Sequence, residues 1–175
     1  MHPRVALLVK EELERLLVAW FIRPIDYSEW ISNIVLVQKN PVGIIICTDF
    51  RDINKACPKD DFPFPNIDMI IDSTASYEML SLMDGFSCYN QIKITEEDQH
   101  KITFTTPWGT FCYQVMPFGL KTAHATYQRE MTVIFHDMLH DIMEDYVDDM
   151  LGKSKTREDH PKVLRCIFER LREYK

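Results

Sequence analysis

Two adjacent aspartates, Asp148 and Asp149, lie between two short apolar segments near the carboxyl end of the sequence. Apolar segments on either side of a short polar turn predict a β-hairpin over residues 142–151, with the acid pair at its tip. Side chains alternate along a strand, so the two carboxylates point in different directions unless the turn or a bound cation gathers them. A divalent metal ion is the partner that this pair predicts.

A third aspartate, Asp84, ends the apolar segment 79–83, and Gly85 marks a turn directly after it. If this segment is a buried strand of the same sheet as the hairpin, three carboxylates meet at one edge. Hard cations such as Mg²⁺ prefer oxygen ligands, and a pair of such ions suits displacement at phosphorus. The spacing alone also fits a solvated acidic turn without a metal.

Length and composition predict a folded chain of one domain or slightly more. Its 175 residues are 46% hydrophobic and 27% charged, which is ordinary for a globular protein. The net charge of −7 argues against nucleic acid as a partner, since affinity for phosphates comes mainly from Lys and Arg. Acidic residues gathered at a metal site would still leave room for a basic groove elsewhere.

The five cysteines are far apart, odd in number and without a Cys-x-x-Cys pair. That spacing argues against a zinc knuckle and a disulfide framework, and predicts reduced thiols in an intracellular, non-secreted protein. No apolar run approaches 18 residues, so the sequence predicts neither a signal peptide nor a membrane span.

Apolar periodicity and turn residues predict the order of the elements. The helices are expected over 5–20, from 67 with Asn66 as cap, from Thr122 to about 140, and from a capping box at Thr156 and Asp159 to 174. The strands are expected over 34–37, 44–48, 79–83, 91–94, 102–106 and 110–115, besides the acidic hairpin. Residues 22–24 are expected to break the first helix, and the proline-rich piece 58–65 to be a connector. Such irregular mixing favours an α+β fold.

Four motifs occur in a recognisable order: Leu-Met-Asp-Gly-Phe-Ser at 82–87, Phe-Thr-Thr-Pro-Trp-Gly at 104–109, Met-Pro-Phe-Gly-Leu at 116–120 and Tyr-Val-Asp-Asp at 146–149. Together they resemble the reverse transcriptase of gypsy-class long-terminal-repeat retrotransposons, of the kind abundant in plant genomes. The resemblance covers residues 9–175. It implies a right-hand polymerase fold without a thumb, with fingers over 1–78 and an antiparallel palm sheet packed on helices over 79–175. A second part of the fingers, about 90–120, would be inserted in the palm.

The resemblance assigns Asp84, Asp148 and Asp149 as catalytic residues that hold two Mg²⁺ or Mn²⁺ ions. One ion would lower the pKa of the primer 3′-hydroxyl and the other would hold the leaving pyrophosphate. Tyr146 would lie under the primer end. The implied partners are an RNA or DNA template with its primer, deoxynucleoside triphosphates, and the thumb, RNase H and integrase of an intact polyprotein in a cytoplasmic particle or the nucleus.

Four further residues match the family's nucleotide and template contacts. Tyr89 corresponds to the aromatic residue that crowds a ribose 2′-hydroxyl, and Phe118 and Gly119 to the loop that lines the nucleotide pocket. Arg51 corresponds to a characteristic fingers residue. The alternatives are packing roles for Tyr89 and Phe118, and an ion pair with a neighbouring acid for Arg51.

The sequence departs from the family where cations of the fingers hairpin usually grip the triphosphate. Pro41, Val42, Gly43 and Ile45 occupy the corresponding positions, so both cations are missing. Charge-assisted hydrogen bonds contribute about 1.5 to 3 kcal/mol each, so nucleotide binding is expected to be weaker.

Other departures are single residues near the expected site. Cys88 replaces a usual glycine, while Thr122 and His124 replace an Asn and a small residue, and His124 either clashes or faces solvent. Gly152 is expected to weaken the last hairpin strand.

The sequence ends at Lys175, after the helix that follows the acidic hairpin, and nothing beyond it could form a thumb. The chain is therefore expected to be weak or inactive by itself. The alternative is a non-catalytic fragment, either decayed or reused as a binding module. Zinc binding by His136 and His140 lacks a flanking Glu and a third ligand, so both are expected to be surface histidines.

Overall fold

The structure, a computed structural model, describes residues 3–39, 43–85 and 88–174. The helices are α1 (Pro3–Val18), α2 (Arg51–Ala56), α3 (Ile67–Thr74), α4 (Glu96–Gln99), α5 (Ala123–Ile134) and α6 (His160–Glu173). The strands are β1 (Ile22–Pro24), β2 (Ile31–Lys39), β3 (Gly43–Thr48), β4 (Met79–Asp84), β5 (Thr103–Thr106), β6 (Gly109–Tyr113), β7 (Met143–Tyr146) and β8 (Asp149–Ser154). The chain forms two compact units, Met1–Lys59 with Tyr89–Ala123, and Asp60–Cys88 with His124–Lys175.

The first unit is a five-stranded sheet in the order β1-β6-β5-β2-β3. Strands β2 and β5 are parallel, and the other neighbours are antiparallel. Helix α1 contributes Val9 and Leu13 to the core, and the sheet contributes Phe104 and Tyr113 among others. These α1 residues lie four apart and therefore on one face of the helix.

The second unit is a three-stranded antiparallel sheet in the order β4-β8-β7. One face is covered by α6, which approaches closely at Gly152. A Cβ atom at that glycine would lie 3.2 Å from Cδ1 of Ile167 and 3.3 Å from Cδ2 of Leu164. Gly152 therefore lets α6 pack tightly on β8. The sequence predicted that this glycine would weaken the strand, but it did not predict this packing role.

Local capping explains where helix α3 of the second unit begins. The Asn66 side chain accepts a hydrogen bond from the Asp68 amide at 2.9 Å, as the predicted cap requires. Thr156 Oγ1 accepts from the Asp159 amide at 3.3 Å and donates to its carboxylate at 2.8 Å. Helix α6 nevertheless begins only at His160.

Several predicted elements differ from the structure. Residues 22–24 break the helix as predicted but also form strand β1, because an edge strand accommodates a proline. The predicted strand 91–94 is wrong, since Cys88–Gln91 is a 3₁₀ turn and Lys93 forms only an isolated bridge to Val115. Helix α5 ends at Ile134, before the predicted end near 140, and the short helices α2 and α4 were not predicted.

Strand β4 is half-buried and not the fully buried strand that its apolar sequence predicts. Its residues alternate between partly buried and exposed along the strand, and Leu80 and Leu82 lie on the exposed face. Residues 60–78 belong to the second compact unit. The reason is that α3 contacts the second sheet, for example through Ser73 and Glu144.

No helix in the described parts of the chain has both the length and the apolar character that a membrane crossing requires.

Candidate active site

The acidic hairpin forms as predicted and places both aspartates at its tip. Tyr146 pairs with Asp149 as the last register pair, so Val147 and Asp148 form a two-residue turn. Two-residue turns favour residues that tolerate positive φ at the first position. Here that residue is Val147, with φ of 57°. For a β-branched residue this left-handed conformation is strained by about 1–2 kcal/mol.

Asp84 lies directly opposite Asp149 in the β4–β8 pair. Opposite residues of an antiparallel pair project from the same face, with Cβ atoms roughly 4.5–5.5 Å apart, and like charges there repel. Both residues are exposed, while Asp148 is partly buried. The turn is also joined to β4 because the Gly85 amide donates to the Asp148 carbonyl at 2.8 Å. The sheet thus gathers all three predicted aspartates at one end.

This arrangement fits a divalent cation in its donor chemistry. A cation would relieve the repulsion between Asp84 and Asp149, and carboxylate oxygens are the ligands that hard cations prefer. Within the described residues, no three His, Cys, Asp or Glu side chains already converge on a metal position. Mg²⁺ commonly uses one or two carboxylates, water and substrate phosphates, so the pair Asp84 and Asp149, with Asp148 beside it, is sufficient.

Cys88 contacts the acid turn at the position where a glycine was expected. Its Sγ donates to Oδ1 of Asp148 at 3.2 Å. Tyr127 lies nearby. The pKa of its hydroxyl is raised mainly by burial and, to a smaller extent, by the neighbouring Cys88 and Asp145. The thiol therefore engages one oxygen of a predicted metal ligand.

A buried amide supports the turn from helix α5. Gln128 Nε2 donates to Oδ2 of Asp145 at 2.7 Å, and the Val147 amide donates to Gln128 Oε1 at 3.1 Å. Burial, together with the nearby Asp148, raises the pKa of Asp145 to about 7 even though the bond from Gln128 lowers it. Within the described residues, Oδ1 of Asp145 has no hydrogen-bond partner.

The opposite face of β7 carries a buried ion pair. Lys153 Nζ lies 2.6 Å from Oε1 of Glu144, and both side chains are almost fully buried. Ser73 of α3 donates to the same oxygen at 2.8 Å, and His140 Nδ1 lies 2.9 Å from Oε2. Lys153 also lies over the ring of Tyr77, 4.7 Å from its centroid. This network fastens α3 to the sheet that carries the acids.

The first unit contains the predicted nucleotide-pocket residues. Tyr89 is buried, and its ring packs edge-on against Phe118, with centroids 4.8 Å apart. Phe118 is exposed, and Gly119 follows with φ of 96°, a conformation that suits glycine. Asn54 holds this loop because it donates to the Gly119 carbonyl at 2.7 Å and accepts from the Lys121 amide at 2.8 Å.

Arg51, also in the first unit, forms an ion pair with Asp49. Its Nε and Nη2 donate to Oδ1 and Oδ2 at 2.8 and 2.6 Å. This pairing, led by the side-chain hydrogen bonds, lowers the pKa of Asp49. The observed contact of Arg51 is therefore the alternative considered above, an ion pair with a neighbouring acid.

The remaining candidate positions are distributed over both units. Ile45 is exposed on β3, whereas Pro41 and Val42 lie outside the described residues. His124 is exposed in the first turn of α5, so it faces solvent. His140 contacts Glu144, and His136 Nδ1 contacts the Val133 carbonyl at 3.1 Å.

Sequence reasoning missed the residues that support the acid turn from within. Gln128 shares one helix face with Met131 and Phe135, both buried, and this spacing was the signal available for it. Asp145, Glu144 and Lys153 carried no such signal. Consecutive residues of a strand face opposite sides of the sheet, so a sequence would normally predict that one of Glu144 and Asp145 is exposed. Both are buried because both sides of β7 are covered.

Comparison with known proteins assigns this chain to a family. The model of the family described as reverse transcriptase (RNA-dependent DNA polymerase) matches residues 38–175. The chain belongs to the reverse transcriptase family. An uncharacterized protein of Caenorhabditis elegans is 34% identical to it over 169 residues, which are 95% of this chain and 13% of that protein.

Two further matches are a retrotransposon polyprotein, similar in sequence, and a viral reverse transcriptase, similar in fold. The retrovirus-related Pol polyprotein from transposon gypsy of Drosophila melanogaster is 30% identical over 172 residues, 92% of this chain and 16% of the polyprotein. The foamy viral protease-reverse transcriptase in complex with RNA/DNA hybrid superposes with a TM-score of 0.86 at 19% identity. That match covers 99% of this chain and 23% of the viral protein, and it confirms the predicted mixed α+β fold of fingers and palm. The chain thus spans less than a fifth of the curated relatives described.

Proposed function

We propose that this reverse transcriptase domain belongs to a gypsy-class, plant-type retrotransposon polyprotein and adds deoxynucleotides to a primer 3′-hydroxyl. The observation that carries the proposal is the register that sets Asp84 opposite Asp149, with Asp148 in the adjoining turn. The ordered motifs support the finer assignment to this class of element.

Asp84, Asp148 and Asp149 would hold two Mg²⁺ or Mn²⁺ ions, which supply activation of the primer hydroxyl and neutralise charge on the leaving pyrophosphate. Tyr146 projects from the same face of the sheet as Asp149, as a residue beneath the primer end would. It lines a groove of about 230 Å³ together with Leu82 and α3 residues.

The nucleotide would contact residues of the first unit. Tyr89 would disfavour a ribose 2′-hydroxyl, with Phe118 packed against its ring and Gly119 shaping the loop. Arg51 would contact template through the donors that its pairing with Asp49 leaves available. The partners would be a primed RNA or DNA template, deoxynucleoside triphosphates and the remaining domains of the polyprotein, in a particle or the nucleus.

The test is calorimetric titration of Mn²⁺ into the 175-residue chain with a deoxynucleoside triphosphate present. Asp84→Asn and Asp149→Asn are expected to weaken binding at least tenfold, because each removes one of two facing carboxylates. The matched control is Asp141→Asn, an exposed aspartate just before the hairpin whose substitution should leave affinity unchanged. Equal binding by all four proteins would refute the assigned metal site.

Primer extension on an RNA template with Mn²⁺ tests the chemistry itself. Asp148→Asn is expected to abolish any incorporation that the unsubstituted chain shows, and incorporation that survives this change would remove Asp148 from the site.

The second candidate is a non-catalytic retroelement fragment or binding module. Two observations favour this second candidate. Ile45 occupies a position where the family usually has a cation, and the Cys88 thiol donates a hydrogen bond to Asp148. A folded chain that binds no Mn²⁺ would support this second candidate.

A further inference from the structure

Gln128 is an amide buried in the middle of helix α5, with 3% of its surface exposed. Polar side chains are rarely so buried unless their hydrogen bonds are satisfied inside the protein. The same face of α5 is apolar at Met131, and Phe135, directly after the helix, continues this buried face. An apolar residue would therefore suit packing at this position equally well, and the amide requires a separate explanation.

The two hydrogen bonds of this amide determine its orientation. Oε1 accepts from the Val147 amide at 3.1 Å, while Nε2 donates to Oδ2 of Asp145 at 2.7 Å. A backbone N–H can only donate, so the reversed amide would place two donors against each other. Gln128 therefore links strand β7 to the first residue of the acid turn.

That first residue holds a conformation that its side chain disfavours. Val147 has a φ of 57°, and β-branched residues in this region persist only when their surroundings hold them there. Its amide donates to Gln128, the one partner of this amide among the described residues. The bond acts on the backbone at the residue where the strain lies.

The other side of the turn is held by β4. Gly85 donates from its amide to the Asp148 carbonyl at 2.8 Å, and a Cβ atom at Gly85 would lie only 2.9 Å from that oxygen. The turn is thus held on one side by Gly85 and on the other by Gln128. Releasing either side would let Val147 relax and turn Asp148 away from Asp84 and Asp149.

We propose that Gln128, braced by Asp145, is a positioning residue that holds the Val147 turn so that Asp148 and Asp149 remain in a geometry competent to bind divalent ions. This inference rests on the proposed function of the three aspartates as metal ligands. Gln128 itself touches neither ion nor substrate. Its effect reaches the site through the backbone of Val147, in the way that outer residues orient metal ligands.

Gln128→Met keeps the length and burial of the side chain and removes both hydrogen bonds. We expect the Val147 amide to exchange with deuterium at least tenfold faster, and Mn²⁺ affinity to fall about tenfold, as loss of an orienting residue commonly does. The matched control is Thr132→Val, one turn later on α5, whose hydroxyl donates to the Gln128 carbonyl at 2.8 Å. This control should change neither measurement.

A paired exchange tests the hydrogen bonds even if Gln128→Met folds poorly. Gln128→Glu alone places a carboxylate against Asp145 and should weaken Mn²⁺ binding. Gln128→Glu with Asp145→Asn restores the bond between positions 128 and 145 with donor and acceptor exchanged, since the new amide at position 145 donates to the new carboxylate at position 128. The Val147 amide donates to that carboxylate as it does to Gln128. The double variant should regain the affinity of the unsubstituted chain and slow exchange at Val147.

The outcomes separate this inference from the proposed function. If Asp84→Asn abolishes Mn²⁺ binding but Gln128→Met leaves it unchanged, the proposed role of Gln128 is refuted and the metal site is supported. Absence of Mn²⁺ binding in the unsubstituted chain refutes the proposed function, while exchange at Val147 still reports whether Gln128 holds the turn. A double variant no better than Gln128→Glu also overturns the inference.

Discussion

The two units bury different kinds of side chain. In the described residues of the first unit, the buried polar side chains are the uncharged Thr48, Gln99 and Thr103, within a core of aliphatic and aromatic residues. The second unit buries Glu144 and Lys153 as an ion pair and Asp145 beside Gln128, close to the acid turn.

This difference shows where each unit tolerates change. Buried charges are expensive unless paired, and proteins retain them most often where function requires them. The second unit carries the three candidate metal ligands, and its buried polar groups lie on the strands and helix that hold those ligands. Substitutions of buried polar groups should therefore have larger and more pH-dependent effects in the second unit than in the first.

Lys153→Met should have the largest effect. It leaves Glu144 buried without its counter-charge, which typically lowers the free energy of unfolding by about 3–5 kcal/mol. Urea unfolding at pH 7 measures the loss. The double variant Glu144→Leu with Lys153→Met should recover most of the lost stability. If Lys153→Met is as stable as the original chain, the buried ion pair does not distinguish the second unit from the first.

Asp145→Asn should change stability in the opposite direction and only at higher pH. The pKa of Asp145 is raised from 3.8 to about 7 in the folded state, so folding takes up a proton between these values and stability falls as pH rises through them. The shift corresponds to at most about 4 kcal/mol. The variant should therefore be more stable than the original at pH 8.

At pH 4 the difference between Asp145→Asn and the original chain should nearly vanish, because Asp145 is then protonated in the folded state. Urea unfolding at both pH values tests this, and a difference independent of pH would contradict a neutral buried carboxyl.

Asn54→Ala should have an intermediate effect in the first unit. It removes the hydrogen bonds to the Gly119 carbonyl and the Lys121 amide, at a cost of about 1–2 kcal/mol for groups that remain partly solvated. Hydrogen exchange at Lys121 should accelerate. The adjacent Lys55→Ala removes only an exposed ion pair and should be nearly neutral, so equal losses would argue against a specific role of Asn54.

Thr48→Val should have the smallest effect. The substitution removes the 3.1 Å hydrogen bond to the Tyr113 hydroxyl and leaves shape unchanged, for a loss of about 1 kcal/mol. Burial already raises the pKa of Tyr113 to about 12, and loss of a bond that lowers it should raise it further. Thr105→Val on the exposed face of β5 is the control. A loss as large as that of Lys153→Met would erase the contrast between the units.

Much of the fold could be predicted from local patterns. The first helix, the β2–β3 hairpin, the Asn66 cap and the acidic hairpin were all readable because periodicity, turn residues and caps act over a few residues. The strand at 91–94 failed because a short alternating segment fits several conformations. Helix α5 was predicted too long because no nearby proline or glycine marks its end.

The sequence by itself determined that Asp84 and Asp149 could face each other, since an apolar segment ending in one acid and a hairpin tipped by two belong in one antiparallel sheet. Motif order was sufficient to name the family. Only the tertiary structure decided which residues hold that arrangement. Gln128 reaches partners 17 and 19 residues away, and Ser73 reaches Glu144 across 71. Such bonds depend on which helix faces and strand faces meet, and packing of distant segments sets this, not local sequence.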